Sequence, residues 1–137
     1  MVEEEKEFEK LLEAAKASGA AVEIEGITFV NCTPHPLKFE DGSVIQGNKE
    51  LAGILKATAK EVIIKEIEGI QVVTTRFVPE EKGQKLCEYA IDSNILLIGS
   101  IIAAQCYGRP VVSPIAVNPR APPSERKIYK HKWNCYW

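Results

Sequence analysis

The stretch from residue 95 to residue 115 constrains the fold most. Ile95-Leu-Leu-Ile98 is a continuous apolar run of strand length, the pattern of a strand buried on both faces. Gly99-Ser100 leads into Ile101-Ile-Ala-Ala-Gln-Cys-Tyr107, which reads as a short helix with Ser100 as its N-cap. Gly108 is the expected C-cap, and Pro110 prevents continuation. Val111, Val112 and Ile115 then form a second apolar strand. Strand, helix and strand in immediate succession make a parallel βαβ unit, so the expected fold class is α/β or α+β. The competing reading, one buried helix across 93–107, would remove the parallel pair.

The 137 residues suit a single domain, and 45% hydrophobic with 26% charged residues is an ordinary globular mix. Disordered, collagenous and low-complexity classes are excluded on that ground. Residues 3–18 predict a helix, because Phe8, Leu11, Leu12 and Ala15 recur at helical spacing, with Gly19 as its stop. Val22, Ile24, Ile27, Phe29 and Val30 predict strand across 21–31, with Gly26 as a bulge or tight turn. Leu37 and Phe39 alternate with polar residues, Asp41-Gly42 is a hairpin signal, and Val44-Ile45 begins the return strand. Residues 47–60 fit a short helix on Leu51, Ile54 and Leu55, or a loop with a strand near 52–59. Residues 61–78 predict a hairpin turning at Glu68-Gly69 and ended by Pro79. Glu80–Lys85 reads as a solvated loop and Leu86–Ile91 as a short strand.

The expected architecture is therefore a mixed sheet of about five to seven strands, with an N-terminal helix and one short helix near 100–107. Residues 1–19 hold the first helix, 20–117 the α/β core, and 118–137 an extended tail opened by Pro119, Pro122 and Pro123.

Net charge is −2, so no global basic field attracts nucleic acid. No stretch approaches the roughly 20 apolar residues of a membrane span, and no membrane partner is expected. Glu3, Glu4, Glu5 and Glu7 make the N-terminus unlike a secretory signal, so the chain is expected inside the cell. Cys32, Cys87, Cys106 and Cys135 are too sparse for a disulfide scaffold and read as free thiols. Neither G-x-G-x-x-G nor G-x-x-x-x-G-K-[ST] occurs, and no cofactor is expected.

Five constellations carry chemistry. In Thr33-Pro-His-Pro36 each proline holds the residue before it extended, which makes a rigid corner that a cis peptide would tighten. His35, so held, is a candidate base or ligand-binding residue, with Asn31 and Thr33 beside it. Arg76 shares a strand face with Ile70, Val72 and Thr74, where it either pairs with a carboxylate, the leading expectation, or binds an anion. Ser100 is a helix cap or, with Gly99, an anion-binding turn. Cys32-x-x-His35 and His131-x-x-x-Cys135 have spacings a zinc site uses, if the tail folds back. No metal is the expectation, with those four residues as its alternative. Last, residues 120–137 carry five basic residues against Glu125, interleaved with Tyr129, Trp133, Tyr136 and Trp137. Such a tail docks on protein or binds nucleic acid, and the glutamates of residues 1–13 offer it an opposite charge.

The run Val30-Asn-Cys-Thr-Pro-His-Pro resembles the "VNLTPHPV" opening of a family of small uncharacterised proteins of prokaryotic viruses, bacteria and archaea. Asp41–Ile45, Ile67–Phe77, Leu96–Ser100 and Val111–Pro114 are similar to later pieces of it, in order. Cys32 departs from the family's leucine, and the first helix and the tail are additions. The resemblance implies an α/β fold and a viral or mobile-element setting, without a reaction. The leading expectation is a non-enzymatic protein-binding or self-associating module, a homo-oligomer or partner protein, with Tyr129, Trp133 and Trp137 as anchors. The alternatives are a nucleotide- or nucleic-acid-binding module using Arg76, Gly99-Ser100 and the tail, and a phosphoester hydrolase using His35, Arg76 and Ser100.

Overall fold

The computed structural model describes residues 3–137. Its elements run α1 (Glu3–Ser18), β1 (Ala21–Ile24), β2 (Ile27–Asn31), β3 (Leu37–Lys38), β4 (Val44–Ile45), α2 (Lys49–Ile54) and β5 (Ala57–Ile67). They continue with β6 (Ile70–Pro79), α3 (Glu81–Asp92), β7 (Ile95–Ile98), α4 (Ile101–Tyr107), β8 (Val111–Ala116), a 3-10 turn at Pro123–Glu125, and β9 (Ile128–Asn134). The fold is α+β, built on one mixed five-stranded sheet of order β1-β2-β7-β8-β9.

The β7-α4-β8 unit forms as its sequence dictates. β7 pairs in parallel with β2 on one side and β8 on the other. The single helix across 93–107 does not form: Asn94 has a φ of 56°, which a helix interior does not tolerate, and the apolar run after it is strand. Ser100 Oγ accepts from Ala103 N at 3.1 Å and caps α4, and Gly108 ends it with a φ of 67°.

Alternation splits the sheet into two cores. Val30, Ile95, Leu97 and Val111 face the helices, where they meet Phe8, Leu12 and Ala15 of α1 and Leu86, Cys87 and Ala90 of α3. Phe29, Ile98 and Val112 face the other way. There they pack with Phe39, Ile45 and Ile128, so β9 and the small β3–β4 hairpin cover the second face.

Residues 80–91 correct the sequence reading. They form helix α3, neither a loop nor a strand. Gly83, Leu86, Cys87 and Ala90 are buried at positions i, i+3, i+4 and i+7. The charged residues between them are the solvent side of that helix. Residues 47–60 hold both elements that they suit: Asn48 caps α2 through Leu51 N at 2.9 Å, and β5 starts at Ala57.

The predicted hairpin is present and longer than expected. β5 and β6 pair from Ala57↔Pro79 to Ile67↔Ile70 around a turn in which Glu68 and Gly69 both have positive φ. Among the described residues neither strand joins another sheet. Eleven residues of strand span about 36 Å, close to the width of a domain this size.

Candidate functional site

The Thr33–Pro36 corner is organised by one buried amide. Asn31 ends β2 with no exposed surface. Its Nδ2 donates to the carbonyl oxygens of His35 at 3.0 Å and Gln46 at 2.9 Å. Its Oδ1 accepts from Thr33 N at 3.1 Å and Thr33 Oγ1 at 2.7 Å. A primary amide offers two donor and two acceptor positions, so Asn31 is saturated within the chain. Gly47 closes the corner from the far side: a Cβ there would stand 2.5 Å from the Pro34 carbonyl oxygen and 2.7 Å from His35 N. The corner thus fixes the His35 backbone and leaves the imidazole exposed. It contains no cis peptide; the cis bond lies at Arg109–Pro110.

The corner opens onto a cavity of about 300 Å³, lined by Cys32, Thr33, Lys56, Phe77 and Ser100 among others. His35 and Arg76 are not among its lining residues, so His35, Arg76 and Ser100 are not brought together there. Cys32 is not an activated nucleophile. Burial, with Cys87 close by, raises its pKa, and burial pushes Cys87 up to about 12. Arg76 lacks the expected ion pair: among the described residues no carboxylate reaches it, and its direct cross-strand neighbour is Lys60. The zinc alternative fails on placement. Cys32 is buried in the helix-side core, Cys135 is exposed, and His131 lies 3.6 Å from Glu25. No three metal-ligating side chains gather among the described residues.

Residues 128–134 are the sheet's last strand. Trp133 stacks on Phe29 with ring centroids 5.1 Å apart, meets the edge of Phe39, and donates its Nε1 hydrogen to Lys130 O at 2.9 Å. Lys130 pairs with Asp41 at 3.1 Å. Trp133 is therefore an anchor within its own chain, whereas Trp137 is 51% exposed and Tyr129 half-buried. The N-terminal glutamates do not reach the basic strand. Glu7 pairs with Lys82 at 2.7 Å and Glu4 with Lys85 at 3.4 Å, both on α3.

No family model, curated protein or solved structure matches the chain. The feature that sequence reading missed is the exposure of the β5–β6 hairpin. Every residue from 63 to 73 is exposed, including Ile63, Ile64, Ile67, Ile70, Val72 and Val73. Among the described residues the side-chain hydrogen bonds between arm and body lie at the arm's root. The Tyr107 hydroxyl donates to Lys56 O at 2.6 Å and accepts from Glu80 N at 3.0 Å, so one side chain of α4 holds both ends of the hairpin. Thr58 Oγ1 donates to Glu80 Oε1 at 2.7 Å, and Cys106 Sγ to Phe77 O at 3.5 Å. Both faces of the arm carry exposed aliphatic side chains beside charged ones, and in sequence nothing distinguishes those aliphatic residues from buried ones. No helix is long and apolar enough to cross a membrane among the described residues.

Proposed function

We propose that this chain is a non-enzymatic, self-associating module whose contact surface is the β5–β6 arm. The single observation that carries the reading is the arm's outer half, six large aliphatic side chains in eleven exposed residues on a hairpin that pairs with no other strand. A two-stranded ribbon alone is marginal in water, and large aliphatic side chains exposed on both faces of such a ribbon mark it as an interaction surface. The resemblance at Val30–Pro36 adds a setting in a prokaryotic virus or mobile element, inside its host. The aromatic strand β9 is engaged within the chain, which moves the proposed contact from Trp133 to the arm.

The test is solution mass by sedimentation at micromolar concentration. The wild type runs well above 15.2 kDa, and Ile64→Ser with Ile70→Ser returns it to that mass. Both positions are exposed, so the doubly substituted chain melts close to the wild type. A wild type that sediments as a 15.2 kDa monomer, or a substituted chain that keeps the larger mass, overturns the reading.

A further inference from the structure

Charge is sorted between the two faces of the arm. Directly opposed residues of an antiparallel pair share a face, and successive residues alternate. The pairs Lys60↔Arg76 and Lys65↔Val72 lie on one face, and Glu61↔Thr75 and Glu66↔Gln71 on the other. All three cations of the arm's strands therefore stand on one side and both carboxylates on the other. Strict alternation along β5 would not do this, because it would set Lys65 beside Glu61. The register shift between Ile63 and Lys65 absorbs Ile64 as an extra residue and restores the sorting.

None of these five side chains is in an ion pair among the described residues. Lys60 and Arg76 oppose each other directly, an unfavourable pairing while nothing anionic lies over them. Each face also carries exposed aliphatic residues: Ile67, Ile70 and Val72 with the cations, Ile63 and Val73 with the carboxylates.

We infer that the occupant of each face is the opposite face of a second copy of this chain. This rests on the self-association proposed above and specifies its geometry. The cationic face of one arm lies on the anionic face of the next, so Glu61 and Glu66 meet Lys60, Lys65 and Arg76. Apolar side chains pack beneath them at the usual face-to-face sheet spacing of about 10 Å. Pairing the arms edge to edge would leave the aliphatic residues of both faces in water, and the bulge interrupts the β5 edge as a template. The contact is heterologous, since the two surfaces that meet are different.

Two charge variants test it by sedimentation. One carries Lys60→Glu, Lys65→Glu and Arg76→Glu, which makes both faces anionic; the other carries Glu61→Lys and Glu66→Lys, which makes both cationic. Each alone is a 15.2 kDa monomer, and an equimolar mixture regains the wild-type mass. Far-ultraviolet circular dichroism of each variant, matching the wild type, shows that the body is folded. In the wild type, sodium chloride from 0.1 to 0.5 M weakens assembly by about tenfold or more, a readout that needs no variant. Either variant assembling alone, a folded mixture that stays monomeric, or a salt-insensitive wild-type mass overturns the face pairing and leaves self-association standing. A wild type monomeric at all concentrations and salts removes both.

Discussion

Replacing Asn31 with aspartate keeps the shape of the side chain and inverts half of its hydrogen bonding. The oxygen facing Thr33 still accepts two hydrogen bonds. The other atom changes from a donor of two bonds into an oxygen aimed at the carbonyl oxygens of His35 and Gln46. Losing those two bonds costs about 1 kcal/mol each. Ionisation adds more, because the site is fully buried and lined by acceptors. A raise of about three units in the folded state, within the range for buried carboxyls, costs about 4 kcal/mol once the group is charged.

The sign follows from linkage. The folded pKa lies above the unfolded value near 3.9, so the neutral carboxyl is tolerated below about pH 4 and stability is lost as pH rises toward about 7. The difference between wild type and Asn31→Asp should therefore widen by about 1.4 kcal/mol per pH unit across that window. Below it, a protonated carboxyl can donate one bond and the deficit shrinks to roughly 1–2 kcal/mol. Urea unfolding followed by circular dichroism, at half-unit steps from pH 4 to pH 7.5, measures the difference directly. Asn31→Ala, which cannot ionise, gives a deficit that does not change with pH. A pH-independent deficit for Asn31→Asp, or none at all, would refute the saturated-amide account of the corner.

Gly47→Ala forces the corner apart against backbone atoms and lowers stability by about 1–3 kcal/mol; an unchanged melt would mean that the chain yields there freely. Tyr107→Phe strips the arm's root of its shared hydroxyl, so amide exchange at Thr58 and Glu80 quickens and stability falls by about 1–2 kcal/mol, while exchange in β7 keeps its wild-type order. Above about pH 8.5 the unfolded cysteines ionise while buried Cys32 and Cys87 stay protonated, so each subtracts about 1.4 kcal/mol per pH unit. That alkaline loss is complete only near the folded pKa, about 12 for Cys87, and Cys32→Ala with Cys87→Ala flattens it if the assignment is right. In Trp137→Phe the remaining Trp133 emits blue-shifted and resists iodide; a red, quenchable emission would detach β9 from Phe29.

Local signals carried most of the fold. The βαβ unit was legible because three cues agree: an unbroken apolar run, a capping serine and a glycine before a proline. The turn at Glu68-Gly69 was legible because Gly69 accepts positive φ freely and stands between two runs of β-forming residues. Helix α3 was hidden by its own amphipathicity. Its buried positions begin at a glycine, which burial selects because Tyr107 and the Ile54 carbonyl crowd the place where a Cβ would be. At the corner, the prolines announce a fixed backbone, but nothing in the spacing says that the fixing amide is Asn31 or that its partners include Gln46. Those are contacts across fifteen residues, which only tertiary structure creates. The arm's sequence marks a hairpin, and nothing in it marks the separation of that hairpin from the main sheet. Alternating residues report which side of a strand a side chain takes, not what lies on that side.

The arm's attachment bears on the assembly proposed above. Tyr107 ties both ends of the hairpin to α4, and α4 sits between β7 and β8 of the main sheet, so the base of the ribbon is oriented by the βαβ unit. A base held in this way loses less orientational freedom on association than a floppy arm would, and more of the apolar contact appears as affinity. Each copy presents two different faces, so satisfying one leaves the other available. A two-fold dimer consumes a self-complementary patch and stops; the proposed contact would not stop by itself. It ends only when the rotation from copy to copy closes a ring, and otherwise it continues as a filament. Sedimentation distinguishes the two: a ring gives one mass that persists as concentration rises, whereas an open assembly gives a mass that keeps growing.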